Sequence, residues 1–128
     1  METILIVDDE KNYLRVLSAV LEEEGYEVLT ALSGREALEI QETSDLDLIL
    51  TDMKMPGMDG IKLLEHIKAK DPDLPVIMMT AHGTVDKAVE AMQKGAYSYI
   101  LKPFDNERLI LYVKTVSYTH LTLPTITE

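Results

Sequence analysis

The hydrophobic positions of this chain change period repeatedly, and each change marks an element. Thr3-Ile4-Leu5-Ile6-Val7 is apolar and β-branched, then stops at Asp8-Asp9-Glu10. Such a run predicts a strand buried on both faces and ending in acid. From Lys11 the spacing becomes helical: Leu14, Leu17 and Leu21 recur on one face, with Tyr13, Val16 and Val20 beside them. Gly25 supplies the left-handed position that ends many helices. Glu27 to Ala31 reads as a second strand. Ser33-Gly34-Arg35-Glu36 matches a capping box, with Glu36 reaching back to Ser33. The helix it opens turns Ala37, Leu38 and Ile40 inward and fades near Thr43-Ser44.

Leu48-Ile49-Leu50 is a third buried run, delivering Asp52 to its end before the turn Met55-Pro56-Gly57. Ile61, Leu64 and Ile67 give the next amphipathic helix, broken by Asp71-Pro72-Asp73 and Pro75. Val76-Ile77-Met78-Met79 runs to Thr80. Ala81-His82-Gly83 then forms a loop, and Thr84 is placed to cap a helix with Val85, Ala88, Val89 and Met92 inward. Tyr97 to Leu101 predicts a fifth strand leading into Lys102-Pro103. A last helix begins near Asp105 or Asn106 and buries Leu109, Ile110 and Val113.

Strict alternation of β and α with short connections implies a parallel sheet with helices on both faces: a doubly wound, three-layer α/β/α domain. In such a sheet the strand ends share one edge, so Asp8, Asp9, Asp52, Thr80 and Lys102 should converge there. Each alone has an ordinary structural reading as a turn residue, a cap or a solvated charge. Their coincidence at matched ends is what points to a site.

Composition narrows the chemistry. The 128 residues are 46% hydrophobic, as in a globular domain, and contain no cysteine, which excludes disulfides and thiolate metal sites. No apolar run approaches a membrane span. A net charge of −11 argues against direct binding of nucleic acid. Three carboxylates in one pocket repel one another, a conflict that a hard divalent cation removes; oxygen-only ligands suit Mg²⁺, with Mn²⁺ as a substitute. Beside such an ion Asp52 is a plausible nucleophile, Lys102 a point charge for a phosphoryl group and Thr80 a hydroxyl donor to it.

The chain resembles a receiver domain of bacterial two-component response regulators, from about Thr3 through the helix after Phe104. The segments that carry the resemblance are I-L-I-V-D-D-E, D-L-I-L-T-D-M-K-M-P-G-M-D-G, V-I-M-M-T-A-H-G and Y-S-Y-I-L-K-P-F. It implies a flavodoxin-like sheet of order 2-1-3-4-5. It further implies phosphorylation of Asp52 by a sensor histidine kinase, in a phosphoacceptor switch and not an enzyme. Asp9, Asp52 and the backbone carbonyl of Lys54 would hold Mg²⁺, with Asp8 acting through a metal-bound water. Thr80 and Tyr99 match the switch pair, Lys102 the phosphoryl-binding lysine, and Lys102-Pro103 a cis peptide. The face of the fourth helix and fifth strand would carry the output. Lys54 and His82 stand two residues beyond Asp52 and Thr80, where their side chains could tune the lifetime of the phosphoryl group.

Two stretches, M-P-G-M-D-G-I-K-L-L and T-A-H-G-T-V-D-K-A-V-E-A-M-Q-K-G-A-Y, resemble receivers of NtrC-type regulators that activate sigma-54-dependent transcription. That likeness implies downstream ATPase and DNA-binding domains, a cytoplasmic setting and an open question of homodimerisation. The chain departs from the pattern at Ser117. Residues 1–116 are expected to form the receiver; residues 117–128, rich in threonine and interrupted by Pro124, read as an adapter-derived tail or a short partner-binding arm. The last helix is therefore expected to be short.

Rival readings fit less well. An Mg²⁺-dependent aspartyl-phosphate phosphohydrolase needs an acid two residues after its nucleophile, where this chain has Lys54, and a substrate cap. A flavodoxin-like cofactor binder needs a phosphate-cradling loop where Asp8-Asp9-Glu10 stands. A degenerate receiver would lack part of the Asp8, Asp9, Asp52, Thr80 and Lys102 set.

Overall fold

A computed structural model describes the backbone of residues 2–81 and 85–126, and the side chains of all of these except 85 and 117–126. Five strands alternate with five helices: β1 (Thr3–Val7), α1 (Lys11–Glu23), β2 (Glu27–Ala31), α2 (Gly34–Thr43), β3 (Leu48–Asp52), α3 (Gly60–Lys70), β4 (Val76–Ala81), α4 (Val85–Gln93), β5 (Ser98–Lys102) and α5 (Asn106–Ile126). All four neighbouring pairs are parallel, in the order β2-β1-β3-β4-β5.

The sheet divides two cores. Ile4, Ile6, Leu48, Leu50, Ile77, Met79 and Ile100 point toward α1 and α5, meeting Leu14, Leu17, Leu21, Leu109 and Val113. The alternate residues Leu5, Val7, Ile49, Val76 and Met78 face Ala37, Ile61, Leu64, Ile67 and Ala91 on the other side. This is why the three inner strands read as unbroken apolar runs: both faces are covered. Register then sets the functional edge. Val7 pairs with Ala31 and Thr51, Asp52 with Met79, and Ala81 with Lys102, so the polar residues that end β1, β3, β4 and β5 lie along one rim.

Helix ends follow local chemistry. The Ser33 side chain accepts from the Glu36 N–H at 3.1 Å. The expected reciprocal bond is corrected: Glu36 Oε1 accepts from the Leu32 N–H at 2.7 Å, one residue before the cap, because that donor is left free beyond the end of β2. Asp59 caps α3 through the Lys62 N–H at 2.9 Å, and Gly25, at φ +98°, closes α1. The proposed Thr84 cap lies outside the described residues.

Three further expectations need correction. On α4, Ala88 and Ala91 are the buried residues among those described, whereas Val89 and Met92 are 50% and 41% exposed; the Val85 side chain, also expected inward, lies outside the described residues. Two adjacent stripes of this helix are apolar, and the alanine stripe lets the backbone approach the sheet closely. β5 begins at Ser98, one residue later than expected; the Tyr97 N–H already bonds to the Val76 carbonyl at 2.8 Å. Finally, α5 is long and runs through Ile126. β-Branched residues cost only tenths of a kcal/mol each once a helix is nucleated, roughly up to 0.7, so the threonine-rich stretch does not by itself end it. No helix among the described residues is long and apolar enough to cross a membrane.

Candidate functional site

Asp8 follows β1, and its N–H bonds to the Ala31 carbonyl at 3.1 Å. That bond continues the β1–β2 ladder past the last strand residue and holds the side chain inside, 1% exposed. One carboxylate oxygen accepts from the Glu10 N–H at 3.0 Å; the other accepts from Lys102 Nζ at 3.1 Å. Asp52 closes β3, and its Oδ1 accepts from the Met53 N–H at 3.0 Å and lies 3.4 Å from Lys102 Nζ. Asp9 is exposed at the rim. One oxygen from each of Asp8, Asp9 and Asp52 can be chosen so that all three lie within 4.8 Å of one another.

Three carboxylates against one ammonium leave two negative charges uncompensated, which matches a divalent cation. The donor set is all oxygen, and one ligand stays open to solvent, as suits an ion that keeps part of its water. The residues therefore fit Mg²⁺. Burial raises the Asp52 carboxyl from its ordinary value; Lys102 opposes this and Asp8 adds to it. A raised folded-state value means that the native state binds a proton more tightly than the unfolded chain does. Ionised Asp52 thus opposes folding at neutral pH and ceases to do so as pH falls through its folded and then its unfolded value. Without divalent cation, Asp52→Asn should raise the urea midpoint at pH 7, and the gain should disappear below the ordinary carboxylate range.

The remaining expected residues are placed around this cluster. Thr80 is fully buried near the end of β4, with its hydroxyl 3.4 Å from the Ala81 carbonyl. Tyr99 is 37% exposed on β5. Lys54 is exposed and borders an open hollow of about 380 Å³ shared with Asp9, Met55, Pro56 and Asp59. The Lys102–Pro103 peptide is cis. His82 lies outside the described residues.

Two contributors were not foreseen. The Lys102 ammonium lies 4.4 Å from the centre of the Tyr13 ring. Burial, then the charges of Asp8, Asp52 and Glu10, push the Tyr13 phenol up to about 12, so the ring stays neutral. Gly60, the first residue of α3, donates its N–H to the Met53 carbonyl at 2.9 Å and packs directly under Asp52. The periodicity marked Tyr13 only as a flank of α1, and Gly60 only as the end of a motif.

The model of the response regulator receiver domain matches residues 4–114. The chain belongs to this family. Among curated relatives, transcriptional regulatory protein ZraR of Escherichia coli strain K12 is 44% identical over 118 residues, covering 91% of this chain and 27% of the relative. The DNA-binding transcriptional regulator NtrC of Klebsiella pneumoniae is 45% identical over 114 residues, 88% of this chain and 24% of the relative. The solution structure of a beryllofluoride-activated NtrC4 receiver domain dimer superposes with a TM-score of 0.88 at 42% identity, covering 94% of this chain and 99% of the other. The relatives are NtrC-type regulators, and the chain spans about a quarter of the length of the curated ones it matches. A cluster of three carboxylates, Asp8, Asp9 and Asp52, is thus present in a domain of the receiver family.

Proposed function

We propose that Asp52 accepts a phosphoryl group from the phosphohistidine of a sensor histidine kinase, and that the modification switches an effector controlling transcription. The observation that carries this reading is the convergence of Asp8, Asp9, Asp52 and Lys102, with one ammonium 3.1 Å and 3.4 Å from two of the carboxylates. An Asp52 oxygen attacks phosphorus; the bond from phosphorus to the donor imidazole nitrogen breaks, and its electron pair stays on the ring. The product is an acyl phosphate. Asp9, Asp52 and the Lys54 carbonyl would hold Mg²⁺ directly and Asp8 would hold it through water; when bound, the ion neutralises charge between carboxylate and phosphoryl oxygens. Lys102 supplies a mobile point charge to those oxygens.

Once the group is present, the Thr80 hydroxyl donates to it, and the Tyr99 ring turns inward from its exposed position. That rearrangement reshapes the α4–β5 face. In a longer cytoplasmic protein the receivers ATPase and DNA-binding partners would lie downstream, and receiver pairing would change with phosphorylation. The dimer of the related NtrC4 receiver supports such pairing. We assign residues 1–116 to the receiver and 117–128 to a segment outside it, in keeping with a family match that ends at 114.

Intact-mass spectrometry after incubation with acetyl phosphate and Mg²⁺ should show a single phosphoryl adduct, absent when EDTA is included. A folded wild type that gains no adduct would overturn the proposal. Lifetime supplies a second measurement. Lys54 stands beside the hollow that opens on Asp9, so Lys54→Ala should change the rate at which the adduct decays by about two- to tenfold, as expected for loss of one partly solvated charge. His82→Ala is expected to do the same, and unchanged decay in both variants would remove the lifetime role.

A further inference from the structure

Lys102 is held by more than carboxylates. Its Nζ lies 3.1 Å from Asp8, 3.4 Å from Asp52 and 4.4 Å from the centre of the Tyr13 ring. Tyr13 stands in the first turn of α1, just beyond the acidic pair, and its ring is braced edge-on by Phe104, with centroids 6.1 Å apart and planes at 62°. Phe104 comes two residues after Lys102. The brace and the cation are therefore carried by the same short stretch at the end of β5.

An ammonium has three donors but no rigid fork, and it rides on a flexible four-carbon stem. Two carboxylates lie within 3.4 Å of it. Nothing in that pair stops the side chain, still 23% exposed, from swinging toward water. An aromatic face supplies a third attraction without adding an anion that would compete with Asp52.

We propose that Tyr13 is a positioning residue for Lys102, whose ring keeps the ammonium between Asp8 and Asp52 so that it already faces an incoming phosphoryl group. The inference rests on the reading of Asp52 as phosphoacceptor. It requires the ring and not the hydroxyl, so Tyr13→Phe and Tyr13→Leu should behave differently.

The test has two readouts. By NMR, the Lys102 Cε protons should show an upfield ring-current shift in the wild type and Tyr13→Phe that is lost in Tyr13→Leu; its absence from the wild type would overturn the proposal without any phosphorylation step. In the second, acetyl phosphate should modify Tyr13→Phe at the wild-type rate and Tyr13→Leu about fivefold more slowly, as loss of a partly buried cation–π contact implies. In a Lys102→Gln background, Tyr13→Leu should change the rate by less than about twofold, because the two residues act as one unit. Equal slowing in both backgrounds would reduce the ring to packing against Phe104 and defeat the proposal, as would a Tyr13→Phe variant as slow as Tyr13→Leu. A folded wild type that is never modified at Asp52 would overturn the phosphoacceptor reading and this role with it, whatever the NMR shift.

Discussion

Asp52→Asn is expected to reduce phosphoryl incorporation from acetyl phosphate to below detection while leaving the fold intact. The side chains have the same shape, and the Asn carbonyl oxygen can still accept from the Met53 N–H that lies 3.0 Å from Oδ1. What changes is charge. A neutral amide oxygen is a poor nucleophile, and an amide cannot give the acyl phosphate that a carboxylate gives. It also withdraws one of the two anions next to the Lys102 ammonium, which is left to pair with Asp8. The folded variant should show higher stability without metal and no adduct with it, a combination that unfolding cannot produce. Asp52→Glu separates charge from placement. It restores the anion, but the extra methylene pushes the oxygens out of a position fixed by the Met53 N–H. Intact-mass spectrometry should find Asp52→Glu modified far more slowly than the wild type. An adduct of undiminished yield in Asp52→Asn would move the nucleophile to Asp8 or Asp9, the only other carboxylates in this cluster among the described residues.

The architecture was legible because its signal is redundant. Three apolar runs, at Thr3–Val7, Leu48–Asp52 and Val76–Ala81, are each covered on both faces, and each has a polar residue at or next to its end, Asp8, Asp52 and Thr80. Parallel pairing then leaves those ends nowhere to go but one rim. The site was legible for the same reason: Asp8, Asp52 and Lys102 needed only the topology to bring them together. What escaped depends on choices among equals. Val89 and Ala88 are neighbours of similar polarity, and only contact with the sheet decides which turns inward. Glu36 had two backbone N–H groups within reach and took that of Leu32. The length of α5 turned on how little each β-branched residue costs a helix already formed. Tyr13 and Lys102 are remote in sequence, and no periodicity encodes a cation resting on a ring face. These misses share a cause: the sequence states which residues are apolar or charged, and the packing states which neighbour each one meets.

Gly60→Ala is expected to damage both the fold and the site, through a contact that no side chain makes in the wild type. A Cβ placed on Gly60 would stand 2.5 Å from the Asp52 carbonyl oxygen and 2.9 Å from Met53 Cα. Both are backbone atoms, so relief cannot come from a rotamer change; either α3 must back away or the end of β3 must shift. The first choice breaks the 2.9 Å bond from the Gly60 N–H to the Met53 carbonyl and loosens Ile61, Leu64 and Ile67 from their core. The second displaces Asp52 relative to Asp8 and Lys102. Overpacking of this kind costs about 1–3 kcal/mol, and the backbone nature of the clash places this variant at the upper end. Urea denaturation should register that loss, and intact-mass spectrometry should register slower modification in the fraction that remains folded. Gly57→Ala makes the informative control. Gly57 has φ +83° and open space around its Cα, so alanine there strains a turn without touching Asp52. If the two variants lose stability and phosphoryl uptake in the same proportion, the close approach of α3 to the end of β3 is not what sets the geometry of Asp52.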